Sequence, residues 1–230
     1  MEIVSVSFSG ITFSEPATSI TDMVLAIICF SLVARIKNNF NESFFNNAWR
    51  LFFLFTGLAT SLGTVCHGFE LMLPSGIYNV LWMCMNICSS ISVYFALKAT
   101  IRFTRAEDLT YKILQVFNIS SLLIFSGLTI VNNNFEIFKI HCAIGLSLIF
   151  ITHAIAFYKS HVGSGSIVLG MLLSFITVYI HTNRISINAW FDYKDIGHVI
   201  MMFSLVLIYN GIYLMKENLK LSVYRLRYQE

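Results

Sequence analysis

Residues 138–158, FKIHCAIGLSLIFITHAIAFY, decide the fold of this chain. Only one of them, Lys139, carries a formal charge, and it stands at the second position of the stretch. A helix needs about 20 mostly apolar residues to cross the ~30 Å hydrocarbon core of a bilayer. The stretch meets this requirement, and it therefore predicts a transmembrane helix.

The composition of the whole chain is that of a protein embedded in lipid. Hydrophobic residues make up 57% of its 230 residues and charged residues only 12%, whereas soluble domains contain about 45–50% apolar and about 25% charged residues. So little charge cannot cover a water-soluble body, and we expect the lipid bilayer to be the main partner. The basic residues do not gather into an arm that would bind nucleic acid, so no nucleic-acid partner is expected.

Seven apolar stretches follow one another without a linker or a low-complexity tract between them. They cover residues 17–34, 49–73, 77–98, 112–131, 138–158, 167–181 and 196–215. We therefore predict an all-α fold in which residues 1–230 form a single domain, a seven-helix transmembrane bundle. Ahead of the bundle, residues 1–9 alternate apolar side chains with serine, which is typical of a short extended segment.

The lysine and arginine residues predict the orientation of the bundle, because these residues concentrate in the cytoplasmic connections of membrane proteins. Only three of the 15 basic residues, Lys139, Arg184 and Lys194, fall at the span ends that share a side with the N-terminus. The other 12 fall on the opposite side, which predicts the N-terminus outside and the C-terminus in the cytoplasm. The first residues lack the basic region of a cleaved signal peptide, and we expect a multi-pass protein of the cell membrane, specifically the bacterial inner membrane.

Ionisable and amide side chains inside a span are costly to insert, and they usually face the bundle interior and mark function. In this chain such residues concentrate in the outer half of the predicted bundle. They are Glu15 and Asp22 at the first span, His67 and Glu70 in the second, Asn79 and Asn86 in the third, and Asp195 and His198 in the seventh. We predict that they line an outward-opening pocket between the first, second, third and seventh helices.

Two spacings support this pocket. One stripe along the second span consists of Thr60, Gly63, Thr64, His67 and Glu70, which recur every three or four residues. In the seventh span, Asp195 and His198 lie three residues apart and are therefore neighbours on the helix surface. A carboxylate beside a histidine fixes the tautomer of the imidazole or completes a metal shell. Structural roles stay open for Glu15, as a charge at a helix N-terminus, and for Asn86, as an interhelical hydrogen-bonding group.

The histidine late in the second span, the carboxylates around the first and the histidine early in the seventh resemble the seven-helix superfamily of alkaline ceramidases, adiponectin-receptor-like proteins and hemolysin III relatives. In that family, three histidines from the second and seventh helices hold a zinc ion that activates water for the hydrolysis of lipid amides. The resemblance implies that His67 and His198 bind Zn²⁺. This sequence departs from the family pattern at Lys194, four residues before His198, and at Gly63, four residues before His67.

A second resemblance rests on two segments. Residues 14–22, SEPATSITD, and residues 190–198, WFDYKDIGH, are similar to an uncharacterised family of bacterial integral membrane proteins. This resemblance implies a membrane location and no particular activity.

Two functions follow from the residues as hypotheses. In a metal-dependent membrane hydrolase, His67, Asp195 and His198 would hold Zn²⁺, and Glu70 or Asp22 would act as the general base for attack on a lipid amide or ester. In a non-enzymatic receptor or transporter, the same pocket would bind a small cation, a proton or a lipid headgroup. The sequence indicates neither the substrate nor the oligomeric state.

Overall fold

The computed structural model of this chain describes residues 4–39, 44–104 and 106–227. These residues form seven long helices and one short β-hairpin. The helices are α1 (Pro16–Asn39), α2 (Phe44–Phe69), α3 (Ser75–Phe103), α4 (Asp108–Asn132), α5 (Phe135–Tyr158), α6 (Ser164–Asn183) and α7 (Tyr193–Arg227), and the strands are β1 (Ser5–Phe8) and β2 (Ile11–Ser14). All seven helices are long and apolar enough to cross a membrane, which confirms the predicted helical bundle with seven candidate spans.

Most helices extend beyond the predicted spans, because a helix continues as long as its backbone hydrogen bonds do and not only where it is apolar. Helix α2 is the exception, since it ends at Phe69 whereas the predicted span ran to residue 73. The backbone amides of Met72 and Leu73 both donate to the carbonyl of Phe69, and Pro74 follows, which cannot donate to a helical hydrogen bond. Glu70, which the sequence placed on the second span, therefore lies in this turn.

The β-hairpin occupies part of the predicted extended segment. Strands β1 and β2 pair antiparallel, and Ser9 and Gly10 turn between them with φ of 51° and 82°, as a type I′ turn requires. Residues 1–3 of the predicted segment lie outside the described residues. So do Arg105 and the side chains of Lys220, Arg225 and Arg227, which the orientation prediction used.

Glu15 joins the hairpin to α1 in an unusual backbone conformation. Its φ is 42°, a left-handed value that is uncommon for any residue other than glycine. The backbone amide of Glu15 donates to the carbonyl of Val4 at 2.8 Å, and its carbonyl accepts from the amide of Ser19 at 3.0 Å. These hydrogen bonds, one to the hairpin and one to the helix, hold the Glu15 side chain at a defined place at the start of α1.

The buried carboxylates and the largest buried apolar side chains occupy different halves of the bundle. We call the end that carries the hairpin the hairpin end; α1, α3, α5 and α7 begin there, and α2, α4 and α6 end there. The half away from the hairpin end holds the largest buried apolar side chains, which include Trp49, Phe53, Ile149, Ile167, Ile208 and Ile212. The buried carboxylates Asp22, Asp192 and Asp195 lie in the hairpin half. The apolar half thus holds the helices together and leaves the hairpin half available for polar groups.

Helices α6 and α7 approach each other closely because glycines stand at their contact. Gly163, with φ of 87°, precedes α6, and Gly211 lies opposite it on α7. A Cβ at position 211 would come within 2.7 Å of the Gly163 carbonyl oxygen and within 2.6 Å of Cγ1 of Ile167. Carbon atoms do not pack that closely, so only glycine at position 211 allows this contact.

Replacing Gly211 by alanine is therefore expected to push α6 and α7 apart and to lower the free energy of unfolding by about 1–3 kcal/mol, the usual cost of overpacking. Gly127→Ala in α4 is the matched control, because a Cβ there meets nothing within 4 Å and alanine favours a helix by about 0.8–1.0 kcal/mol over glycine. Thermal unfolding of both variants in one detergent checks the prediction. A Gly211→Ala protein as stable as the wild type would contradict the close contact.

Candidate functional site

Lys194, in the first turn of α7, is the centre of a charge network at the hairpin end. Its Nζ lies 2.5 Å from Oε1 of Glu15 and 3.0 Å from Oδ2 of Asp192. The three side chains are only 13–15% exposed. Because Glu15 precedes α1 and Asp192 precedes α7, the ammonium group ties the beginnings of these two helices together.

The second oxygen of Glu15 binds α2. Nδ1 of His67 lies 2.7 Å from Oε2 of Glu15 and donates to this carboxylate. The imidazole also packs edge-on against Trp82 of α3, with the ring centroids 5.7 Å apart. One carboxylate at the end of the hairpin therefore connects α1, α2 and α7.

The environment of Glu15 stabilises its charged form. Burial alone raises the pKa of a carboxyl group, because it removes water from the charge. At Glu15 the hydrogen bonds from His67 and Lys194, together with their charges, outweigh burial and lower the pKa from 4.5 to about 2. Glu15 is consequently ionised throughout the physiological pH range.

Asp192 and Asp195 form a reciprocal cap at the start of α7. Oδ1 of Asp192 accepts from the backbone amide of Lys194 at 2.7 Å, and Oδ2 of Asp195 accepts from the backbone amide of Asp192 at 2.7 Å. This is the capping-box arrangement, with aspartate in the place of the usual glutamate. The cap accounts structurally for Asp195, which the sequence proposed as a metal ligand.

A second buried pair lies deeper, between α1 and α7. Nδ1 of His198 is 2.9 Å from the hydroxyl of Thr21, and its Nε2 is 3.4 Å from Oδ1 of Asp22. Asp22 is 4% exposed and fits against α2 because position 63 is glycine: a Cβ there would collide with the Asp22 carboxylate. The predicted stripe on α2 thus contributes two features to the site: Gly63 leaves room for the Asp22 carboxylate, and His67 supplies an imidazole.

The donor atoms predicted for zinc are largely engaged elsewhere. Both nitrogens of His198 face Thr21 and Asp22, and Asp195 caps α7. The hydrogen bond from Nδ1 of His67 to Glu15 does not engage Nε2 of His67, and histidines that bind metals commonly donate to a carboxylate in this way. Among the described residues, no group of three or more His, Cys, Asp or Glu residues is placed to hold a metal ion. The described residues therefore show no zinc site in this arrangement, and zinc stays a prediction of the family resemblance alone.

The other predicted site residues lie around the network rather than in it. Glu70 is partly buried in the turn after α2, where burial and the neighbouring Glu15 carboxylate raise its pKa. The Thr64 hydroxyl donates to the Thr60 carbonyl within α2. Asn79 is exposed, and its carbonyl accepts from Asn133. Asn86 is fully buried, and its side chain has no hydrogen-bond partner among the described residues.

A cavity of about 290 Å³ opens beside the network. Its walls come from the end of the hairpin, the start of α1, the α6–α7 connection and the start of α7. The lining residues are Val4, Glu15, Pro16, Ala17, Thr18, Arg184, Ala189, Trp190, Asp192, Tyr193, Lys194 and Asp195. The sequence predicted a pocket with α2 and α3 as walls, but the residues that line this cavity come from neither helix.

Sequence reasoning missed Lys194, Arg184 and Trp190 as site residues, although one signal pointed to two of them. Lysine and arginine are scarce on the side of the bundle where the N-terminus lies, and only Lys139, Arg184 and Lys194 stand there. Two of these three line the cavity. Basic residues at the hairpin end, where such residues are scarce, therefore indicated the cavity better than the amide side chains of α3, Asn79 and Asn86, did.

Residues 17–217 match a family described as a family of unknown function, DUF6962. The chain belongs to the DUF6962 family. No curated protein and no solved structure matches it. The matched range of this DUF6962 chain covers nearly all of the helical bundle, including Lys194, Asp195 and His198, and begins two residues after Glu15.

The lowered pKa of Glu15 predicts how acid affects the DUF6962 protein. A carboxylate whose pKa is lower in the folded than in the unfolded state stabilises the fold above the unfolded pKa. That contribution should be complete above pH 4.5 and be lost as the pH falls toward about 2. Glu15→Gln should lower the free energy of unfolding by about 1–3 kcal/mol at neutral pH, because Lys194 and His67 lose a charged acceptor.

Thermal unfolding in detergent across this pH interval measures the effect. The wild type should lose more stability on acidification than Glu15→Gln does. Glu136→Gln is the control, since the Glu136 side chain, which pairs with Lys139 at the same end of the bundle, is 64% exposed and an exposed carboxylate contributes little. Parallel pH curves for the wild type and Glu15→Gln would contradict the assigned role of Glu15.

Proposed function

We propose that this DUF6962 protein is a non-enzymatic membrane receptor or transporter that binds a small charged ligand in the cavity at the hairpin end. The observation that carries the proposal is the charge network of Glu15, Asp192 and Lys194, because all three residues line the cavity. Charged side chains at a membrane edge are costly unless they are paired or serve a ligand. Here they are both paired and accessible from a cavity.

The same geometry supports binding better than hydrolysis. A hydrolase needs an activated nucleophile, either a metal-bound water or a side chain next to a base. His198 has both ring nitrogens engaged within the protein, and the carboxylate of Asp195 is used in a helix cap. Charges held in place by ion pairs and hydrogen bonds suit recognition, since a binding site needs its polar groups held in position before the ligand arrives.

The proposal includes an orientation. With 12 of the 15 basic residues on the side away from the N-terminus, the positive-inside rule places the hairpin end outside and the C-terminus in the cytoplasm. In a bacterial inner membrane the cavity would then open to the periplasm. A ligand would reach it from outside the cell or from the outer leaflet.

Cysteine labelling in intact cells tests this orientation. Thr182→Cys lies near the end of α6 at the hairpin end, and Thr110→Cys lies near the start of α4 at the opposite end; both threonines are exposed. A membrane-impermeant maleimide should label Thr182→Cys in intact cells and Thr110→Cys only after the cells are opened. The reverse pattern would contradict the orientation and leave the binding site facing the cytoplasm.

Metal content separates binding from metal-dependent hydrolysis. Protein purified in detergent without a chelator should contain zinc far below one equivalent by inductively coupled plasma mass spectrometry, because two candidate ligands, His198 and Asp195, have other partners. His67→Ala and His198→Ala should not change that value. Near-stoichiometric zinc that disappears in both variants would overturn the proposal and favour the metal-dependent lipid hydrolase.

A further inference from the structure

The inner wall of the cavity carries an excess of negative charge. Three carboxylates, those of Glu15, Asp192 and Asp195, line it together with a single ammonium group, that of Lys194. Lys194 is paired with two of the carboxylates and compensates only one negative charge. Uncompensated charge away from water is costly, so a ligand that brings a cationic group to this wall would be favoured.

The rim of the cavity carries a positive charge that the protein does not use. Arg184 ends α6 with φ of 50° and lines the cavity on the side of the α6–α7 connection. Its guanidinium group forms no hydrogen bond or ion pair with any residue in the described part of the chain. A guanidinium group presents a planar set of donors that matches phosphate or carboxylate oxygens in a bidentate geometry.

The cavity therefore has a negative inner wall and a positive rim, and its volume limits the ligand to a small group. About 290 Å³ lies at the lower limit of the roughly 300–1,000 Å³ typical of ligand pockets. That space admits a headgroup or a small solute and excludes the acyl chains of a lipid. Trp190 and Tyr193 also line it, and such rings are common where an apolar surface meets a polar one.

We propose that the cavity binds a zwitterion made of a primary ammonium and a phosphate group, the phosphoethanolamine class; this inference rests on the proposed binding function. The ammonium lies against Glu15 and Asp192, whose side chains keep 15% and 13% exposure, and the phosphate lies against Arg184. A primary ammonium has three N–H donors for these carboxylate oxygens, whereas a quaternary ammonium has none. The site therefore favours ethanolamine over choline derivatives. The ligand is either a free solute or the headgroup of phosphatidylethanolamine.

Binding of four soluble probes to the full chain in phosphatidylglycerol nanodiscs tests the ligand class. The probes are phosphoethanolamine, phosphocholine, ethanolamine and inorganic phosphate, each titrated by isothermal calorimetry. Phosphoethanolamine should bind about 10- to 100-fold more tightly than each of the others, since every other probe loses one set of charge-assisted hydrogen bonds.

Arg184→Gln is the informative variant, because the side chain is exposed and its loss breaks no contact within the described structure. This substitution should weaken the binding of phosphoethanolamine by about 10- to 100-fold and leave the affinity for ethanolamine unchanged. Lys139→Gln is the matched control, since it removes a positive charge at the same end but outside the cavity. It should leave all four affinities unchanged.

Nanodiscs of phosphatidylethanolamine identify the source of the ligand. If the lipid headgroup occupies the site, soluble phosphoethanolamine should bind to the protein in phosphatidylglycerol nanodiscs. It should not bind in phosphatidylethanolamine nanodiscs, because the lipid already fills the cavity there. If the ligand is a free solute, its affinity should be equal in both, and either result supports the ligand class.

Two other outcomes overturn the inference, and they differ in what they say about the proposed function. If ethanolamine, phosphate or phosphocholine binds as tightly as phosphoethanolamine, the ligand class is wrong and the cavity is still a binding site. If none of the four probes binds to folded protein in phosphatidylglycerol, the ligand class and the binding function fail together.

Discussion

The Lys194 ammonium group, held between two carboxylates at the edge of the membrane, is the interaction on which the hairpin end of this structure depends. A charge in this position is costly without partners, so Lys194 requires Glu15 and Asp192 beside it. Glu15 reaches it only because the β-hairpin fixes the residue in a left-handed conformation before α1. The hairpin, α1 and α7 are therefore arranged around one ion, and α2 joins them through His67.

The segment that begins α7 both caps the helix and lines the cavity. The helix needs its first backbone amides satisfied, and Asp192 and Asp195 do this with each other and with Lys194. The same residues face the cavity and supply its charge. An acidic residue three positions before His198 thus has a local explanation in the helix cap, and this explanation holds whether or not a ligand binds.

Structural features that depend on neighbouring residues could be predicted from the sequence, whereas contacts between residues far apart in the chain could not. Length and apolarity fix a span locally, so the seven helices were predictable, and a three-to-four spacing placed His67 above Gly63 on the face of α2 that meets α1. The Lys194–Glu15 pair joins residues 179 positions apart, and no local pattern reveals it. Asn79 is exposed and does not line the cavity, because polarity near a helix start does not say which side faces the bundle.

Lys194 changes the charge balance around the histidines and carboxylates of this site. Lys194 stands four residues before His198, where the resembling family has a zinc ligand, and it brings a positive charge of its own to the carboxylates. A metal ion added beside this ammonium group would face repulsion and would have to displace Thr21 or Asp22 from His198. The carboxylates of Glu15 and Asp192, which share the single charge of Lys194, line the cavity. A ligand that enters the cavity can therefore neutralise their remaining negative charge without breaking a single contact of the fold.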